Sequence, residues 1–148
     1  MPMKCDDATG EIRLEMLNDL DELDRLNAAI ETLGVRWDLL PQAVATLQIA
    51  LEELVSNIIR HGFHDDERHR VLVRIARCAD GALRIDVEDD GAPFDPLAAP
   101  HPPACESLEE REPGGLGIHL VRHLMDEISY RRAGAHNLLS MTKRGALR

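Results

Sequence analysis

The chain has 148 residues, 44% of them hydrophobic and 30% charged, proportions of an ordinary globular protein long enough to bury about 70% of its unfolded surface. A net charge of −10 argues against recognition of a phosphate backbone, which needs basic surface, so the expected macromolecular partner is a protein and not a nucleic acid. No apolar run approaches the roughly 18 residues that span a bilayer, MPMKCDDATG lacks the core of a signal peptide, and three scattered cysteines (Cys5, Cys78, Cys105) without a CxxC predict reduced thiols in a cytoplasmic protein with no membrane association.

EIRLEML, residues 11–17, alternates Ile12, Leu14 and Met16 against charged neighbours, the pattern of a half-buried strand. NDLDELDRLNAAIETLG then sets Leu20, Leu23, Ile30 and Leu33 on one helical face, with Asn18 or Asp19 as the N-cap and Gly34 as the stop. A second helix is predicted from near Leu39 to about His61, with Pro41 tolerated in its first turn. RVLVRIARC and ALRIDVE are two alternating runs joined through Asp80-Gly81, a strong hairpin signal.

Residues 92–115 are different, because six of the eight prolines fall between Pro93 and Pro113. So long an irregular segment inside a compact domain is usually functional or disordered. GGLGIHLVRHLMDE opens a third helix after its glycines, with Ile118, Val121, Leu124 and Met125 toward the core, and ISYRRAG and NLLSMTKR form a closing pair of strands. Hairpins dominate and no alternating βαβ series occurs. One α+β domain spanning 1–148 is therefore expected, an antiparallel-rich mixed sheet with helices on one face.

Three places carry polar or glycine-rich residues at element boundaries. On the second helix Glu53 and Asn57 lie one turn apart at the shoulder of the apolar stripe made by Leu47, Leu51, Leu54, Val55 and Ile58. In VEDDGAPFDP, Asp89 and Gly91 end a strand, which by itself reads as a turn. GGLG, with Gly114, Gly115 and Gly117, opens the third helix, where glycines admit a ligand to the backbone and free N–H groups form an anion site. No GxxxxGK[ST] is present, nor a GxGxxG after a strand.

In this order the three resemble the GHKL, or Bergerat-fold, ATP-binding superfamily. EELVSNIIRHGF and GGLGIHLVRHLMDEISY are similar to the small bacterial anti-sigma-factor serine kinases, and the resemblance spans nearly the whole chain. It implies a two-layer α/β sandwich with an ATP lid at about 92–115. By the resemblance Asn57 would ligate Mg²⁺ through its amide oxygen, a hard donor suited to an ion held mainly by phosphates and water. Glu53 would accept the proton of an attacking serine hydroxyl. Asp89 would accept a hydrogen bond from the adenine amine, Gly91 would let the base approach, and Gly114, Gly115 and Gly117 would receive phosphates. The implied partners are a sigma factor and a STAS-domain anti-anti-sigma protein whose serine is phosphorylated, with the kinase as a homodimer. An acidic chain suits the basic surfaces of sigma factors.

The pattern also departs from the family. No threonine stands near the adenine position on the closing strands, where Leu138 or Leu139 falls, and Arg111 is the lone lid candidate for a phosphate partner. Glu52 adds negative charge beside Glu53, but helical spacing turns it away. His119 and His123 are four apart without a third ligand, HGFHDD reads as a solvated loop, and Cys105 as a plain thiol. A kinase-inactive nucleotide-binding interaction module of the same fold is the alternative. Retention of Glu53 favours the kinase, since ATP binding alone does not need it.

Overall fold

The computed structural model describes residues 10–63, 65, 67–98 and 115–147. The elements are β1 (Glu11–Leu17), α1 (Glu22–Arg36), α2 (Pro41–His61), β2 (Arg70–Arg77), β3 (Leu83–Asp89), α3 (Gly115–Leu124), β4 (Glu127–Ala133) and β5 (His136–Lys143), with a short 3-10 turn at Pro96–Ala98. The strands form one sheet in the order β1-β2-β3-β5-β4. All four pairings are antiparallel, so the sheet expected to be antiparallel-rich contains no parallel pair among the described strands.

Alternation decides which side of the sheet is dry. Val71, Val73 and Ile75 of β2, Leu83, Ile85 and Val87 of β3, and Leu139 and Met141 of β5 are buried. They join one cluster with Leu26, Ile30 and Leu33 of α1, Leu47, Leu51 and Leu54 of α2, and Val121 of α3. The residues between them on the strands, such as Arg74, Asp86 and Ser140, form a polar face, on which Ser140 Oγ donates to Asp86 at 2.6 Å and Arg74 pairs with Glu88 at 3.9 Å. A period of two on strands and 3.6 on helices therefore produces two layers. α2 is the central helix, packing against both α1 and α3.

α1 begins later than expected, with Asp21 and not Asn18 or Asp19 at its N-cap, and Leu20 stands before the helix and is exposed. Two further expectations are corrected. Gly34 does not stop α1; the helix continues through it to Arg36. A Cβ at Gly34 would lie 2.5 Å from Val44 Cγ2 on α2, so this glycine marks the place where two helices touch. Alanine would gain about 1 kcal/mol of helix propensity there, but overpacking costs about 1–3 kcal/mol, and the packing term wins. The second correction concerns Cys78, which is buried and disulfide-bonded rather than a free thiol. Spacing along a chain does not report which sulfurs a fold brings together, and the other two cysteines lie outside the described residues. No helix among the described residues is long and apolar enough to cross a membrane.

Candidate functional site

A cleft of about 490 Å³, counting its open mouth, lies between α2, the C-terminal end of β3, the start of α3 and the β4–β5 hairpin. Leu54 and Ile58 of α2, Val87 of β3, Ile118 of α3 and Leu139 of β5 give it apolar walls. Asn57, Asp89, Tyr130 and Asn137 bring polar groups to the same space. An apolar pocket with a few convergent polar groups is the usual form of a small-molecule site.

The sheet register explains how these groups meet. One row across the sheet runs Met16, Val71, Asp89, Asn137, Arg132, each paired with the next. Paired residues project to the same face, so Asp89, Asn137 and Arg132 all point toward the helix side. Asp89 is 5% exposed. Its Oδ1 accepts hydrogen bonds from the Gly91 N–H at 2.8 Å and from Asn137 Nδ2 at 3.0 Å. Its Oδ2 receives no hydrogen bond among the described residues.

Gly91 is held tightly. A Cβ there would overlap the Gly62 carbonyl oxygen and lie 2.9 Å from Asp89 Oδ1. The Gly91 carbonyl accepts from Arg132 at 2.7 Å, and the next N–H, of Ala92, donates to the Gly62 carbonyl at 3.0 Å. The end of α2 and the end of β3 are thus stitched together where Asp89 leaves the sheet.

Glu53 and Asn57 sit on the side of α2 that faces α3 and the cleft, which is why neither belongs to the buried stripe. Glu52 is exposed and turned away, as its helical position requires. Glu53 meets the first turn of α3: a Cβ on Gly117 would overlap Glu53 Oε2 and lie 2.7 Å from its Cδ. Gly115 starts α3. Gly114, Arg111, Cys105 and most of the expected lid lie outside the described residues. Three polar lining residues, His61, Tyr130 and Asn137, were not among the site residues expected from the sequence. His61 continues the four-residue spacing of Glu53 and Asn57 and was readable on that ground. Leu139, noted at the empty threonine position, does line the cleft, but the polar partner of Asp89 is Asn137.

Beside the cleft, the α2–β2 connection is tied to the residue after Asp89. The His69 ring stacks on Phe63 at 4.3 Å, its Nε2 bonds Asp65 Oδ1 at 2.6 Å, and its Nδ1 bonds Asp90 Oδ1 at 3.1 Å. The Asp65 hydrogen bond raises the imidazole pKa above its ordinary 6.5, burial opposes the rise, and Asp90 adds to it. A raised folded-state value means the stabilisation is complete below the unfolded pKa of about 6.5 and fades as pH rises through the folded value. The gap in Tm between wild type and His69→Gln is therefore expected to be widest at the acid end of about pH 5–8 and to close toward the alkaline end. Thermal unfolding across that range checks it; a gap that widens with pH contradicts it.

A family model described as the histidine kinase-like ATPase domain matches residues 16–143. The chain belongs to that family. It is 35% identical over 104 residues to the serine/threonine-protein kinase BtrW of Bordetella bronchiseptica, covering 68% of this chain and 70% of that protein. It is 26% identical over 119 residues to the anti-sigma F factor of Clostridium perfringens, covering 80% of this chain and 84% of that one. The fold matches the structure of the RsbU and RsbW domains of Rv1364c from Mycobacterium tuberculosis with a TM-score of 0.69 at 16% identity, over 95% of this chain and 34% of that one. The α+β architecture expected from the hairpins and helices is that of this histidine kinase-like ATPase family. Similarity to serine kinases and anti-sigma factors agrees with the resemblance carried by EELVSNIIRHGF and GGLGIHLVRHLMDEISY.

Proposed function

We propose that this protein is an ATP-dependent serine kinase that also holds a sigma factor inactive, and that its substrate is a serine of a STAS-domain anti-anti-sigma protein. The observation that carries the reading is the contact of Glu53 with the first turn of α3, one helical turn from Asn57 and beside a cleft with a buried carboxylate. A base, a metal-ligating amide and an apolar cleft then lie along one side of α2. Relatives named as a serine/threonine-protein kinase and as an anti-sigma factor support both halves of the function.

The cleft suits adenine: apolar walls take the ring faces, Asp89 offers an acceptor to the exocyclic amine, and only glycine at 91 leaves the backbone its close approach to Gly62. The residues also suit Mg²⁺, since Asn57 offers a neutral oxygen donor and such an ion asks few ligands of a protein. Bound there, the ion would neutralise phosphate charge. Gly115 and Gly117, with Gly114 preceding them, would bring backbone N–H groups of the α3 start to the phosphates. Glu53 would take the proton of the substrate serine as its oxygen bonds to the γ-phosphorus and the bond to the bridging oxygen breaks, releasing ADP. Phosphoryl transfer of this kind relies on positioning and charge neutralisation. The lid at about 92–115, a homodimer, a cytoplasmic location and one domain over 1–148 complete the reading.

Transfer of label from ATP to a purified STAS partner tests it. Wild type is expected to produce phosphoserine. Glu53→Gln is expected to lose about 100-fold or more in rate, the usual share of a general base, while keeping ATP affinity. Wild-type binding of ATP with no phosphoserine on any cognate partner would leave a nucleotide-binding interaction module instead.

A further inference from the structure

Asn137 stands opposite Asp89 in the β3–β5 pairing and is 6% exposed. A buried carboxamide must place two donor hydrogens and an acceptor oxygen. Both ends of this one are used. Nδ2 donates to Asp89 Oδ1 at 3.0 Å and to the Ala92 carbonyl at 2.9 Å. Oδ1 accepts from the Tyr130 hydroxyl at 2.6 Å and from the Phe94 N–H at 3.4 Å. Acceptors surround the nitrogen and donors surround the oxygen, so the amide has one orientation. Turned over, it would press oxygen against the Asp89 carboxylate and an NH₂ group against the Phe94 N–H.

The partners are not ordinary core residues. Asp89, Ala92, Phe94 and Tyr130 all border the cleft, as Asn137 itself does. Through them the amide governs how the buried Asp89 carboxylate faces that space. A carboxylate free to rotate could offer either oxygen over a wide arc. With Oδ1 held by Gly91 and Asn137, Oδ2 is left as a single acceptor in a fixed direction. Such an acceptor between apolar walls rewards a ligand edge that donates an N–H. It rejects one that presents a carbonyl, because two unpaired acceptors would then face each other away from water.

We propose that Asn137, oriented by the Tyr130 hydroxyl, is the positioning residue that sets the base selectivity of this cleft, holding Asp89 so that a purine edge bearing an exocyclic amine is accepted and one bearing a carbonyl is refused. The inference rests on the nucleotide reading above and adds to it the source of selectivity. Arg132, which holds the Gly91 carbonyl from the same sheet row, steadies the other end of the Asp89–Gly91 turn.

Calorimetric titration of Mg-ATP and Mg-GTP into wild type, Asn137→Leu and Tyr130→Phe, with thermal unfolding of each, tests the proposal. Wild type should prefer ATP. Asn137→Leu should lose about 10- to 100-fold in ATP affinity with GTP affinity unchanged, the range for a hydrogen bond to a charged group. Tyr130→Phe should shift the ratio the same way by about 3- to 10-fold. The phenylalanine variant removes a single hydroxyl and decides the question if Asn137→Leu fails to fold. Wild type binding neither nucleotide overturns the nucleotide reading itself. An ATP-selective wild type whose ratio survives in the folded variants, or whose two affinities fall together, overturns the role of Asn137.

Discussion

Replacing Asp89 by Asn is expected to weaken ATP binding about 10- to 100-fold and to narrow or invert the preference over GTP. The substitution keeps shape and most of the local bonding. An amide oxygen at the Oδ1 position would still accept from the Gly91 N–H and from Asn137 Nδ2, as the carboxylate does at 2.8 and 3.0 Å. Those two donors then dictate the orientation of the new amide. Its NH₂ group must occupy the Oδ2 position and face the cleft, where a donor now meets the exocyclic amine of adenine. Guanine, with a carbonyl at the same place, becomes the better match. Because the internal bonds survive, Tm should change little, and affinity should fall without unfolding. Titration with both nucleotides reads the result directly. Unchanged ATP affinity in a folded variant would remove Asp89 from the base site.

Gly117→Ala is expected to cut phosphoryl transfer about 100-fold while leaving the fold intact. The added Cβ would overlap Glu53 Oε2 and crowd its Cδ and Cγ. Unlike the Gly34 contact, where the obstacle is the stiff, β-branched Val44 packed against the core, the obstacle here is the far end of a flexible side chain that can swing aside at little energetic cost. Alanine also gains about 1 kcal/mol of helix propensity at an α3 position, which offsets part of that cost. The carboxylate, however, must move by an ångström or more, and a displacement of that size in a reacting group costs about 100-fold in rate. ATP affinity should stay within a few-fold, since Glu53 is not a nucleotide anchor. The double variant Gly117→Ala, Glu53→Gln should be no slower than Glu53→Gln alone, because both changes remove the same group's action. Wild-type turnover by Gly117→Ala would show that the Glu53 position does not matter to the reaction.

The elements were legible because their signals are local. Alternation in EIRLEML, RVLVRIARC and ALRIDVE places strands, and these are observed at Glu11–Leu17, Arg70–Arg77 and Leu83–Asp89. Asp80-Gly81 turns the β2–β3 hairpin with Gly81 at φ +85°, a conformation glycine takes at no steric cost. The i to i+4 spacing of Glu53 and Asn57 needs only the helix itself to put both on one side. Gly34 was misread because a glycine late in a helical pattern looks the same whether it ends the helix or lets a neighbour close in.

The sequence by itself therefore determined the strands and helices, most of the stripe each one buries, and the order of motifs that marks the family; Leu20, expected on the α1 face, stands before the helix and is exposed. Tertiary structure alone decided which distant residues face one another. Asn137 became the partner of Asp89, 48 residues away, through the register of β3 against β5. Gly117 met Glu53 through the packing of α3 on α2, and Gly34 met Val44 through the packing of α1 on α2. The physical reason is that hydrophobic period and turn chemistry act within a few residues, whereas register and helix contact follow from the fit of whole surfaces, and a shift of one residue would send Asn137 to the opposite face.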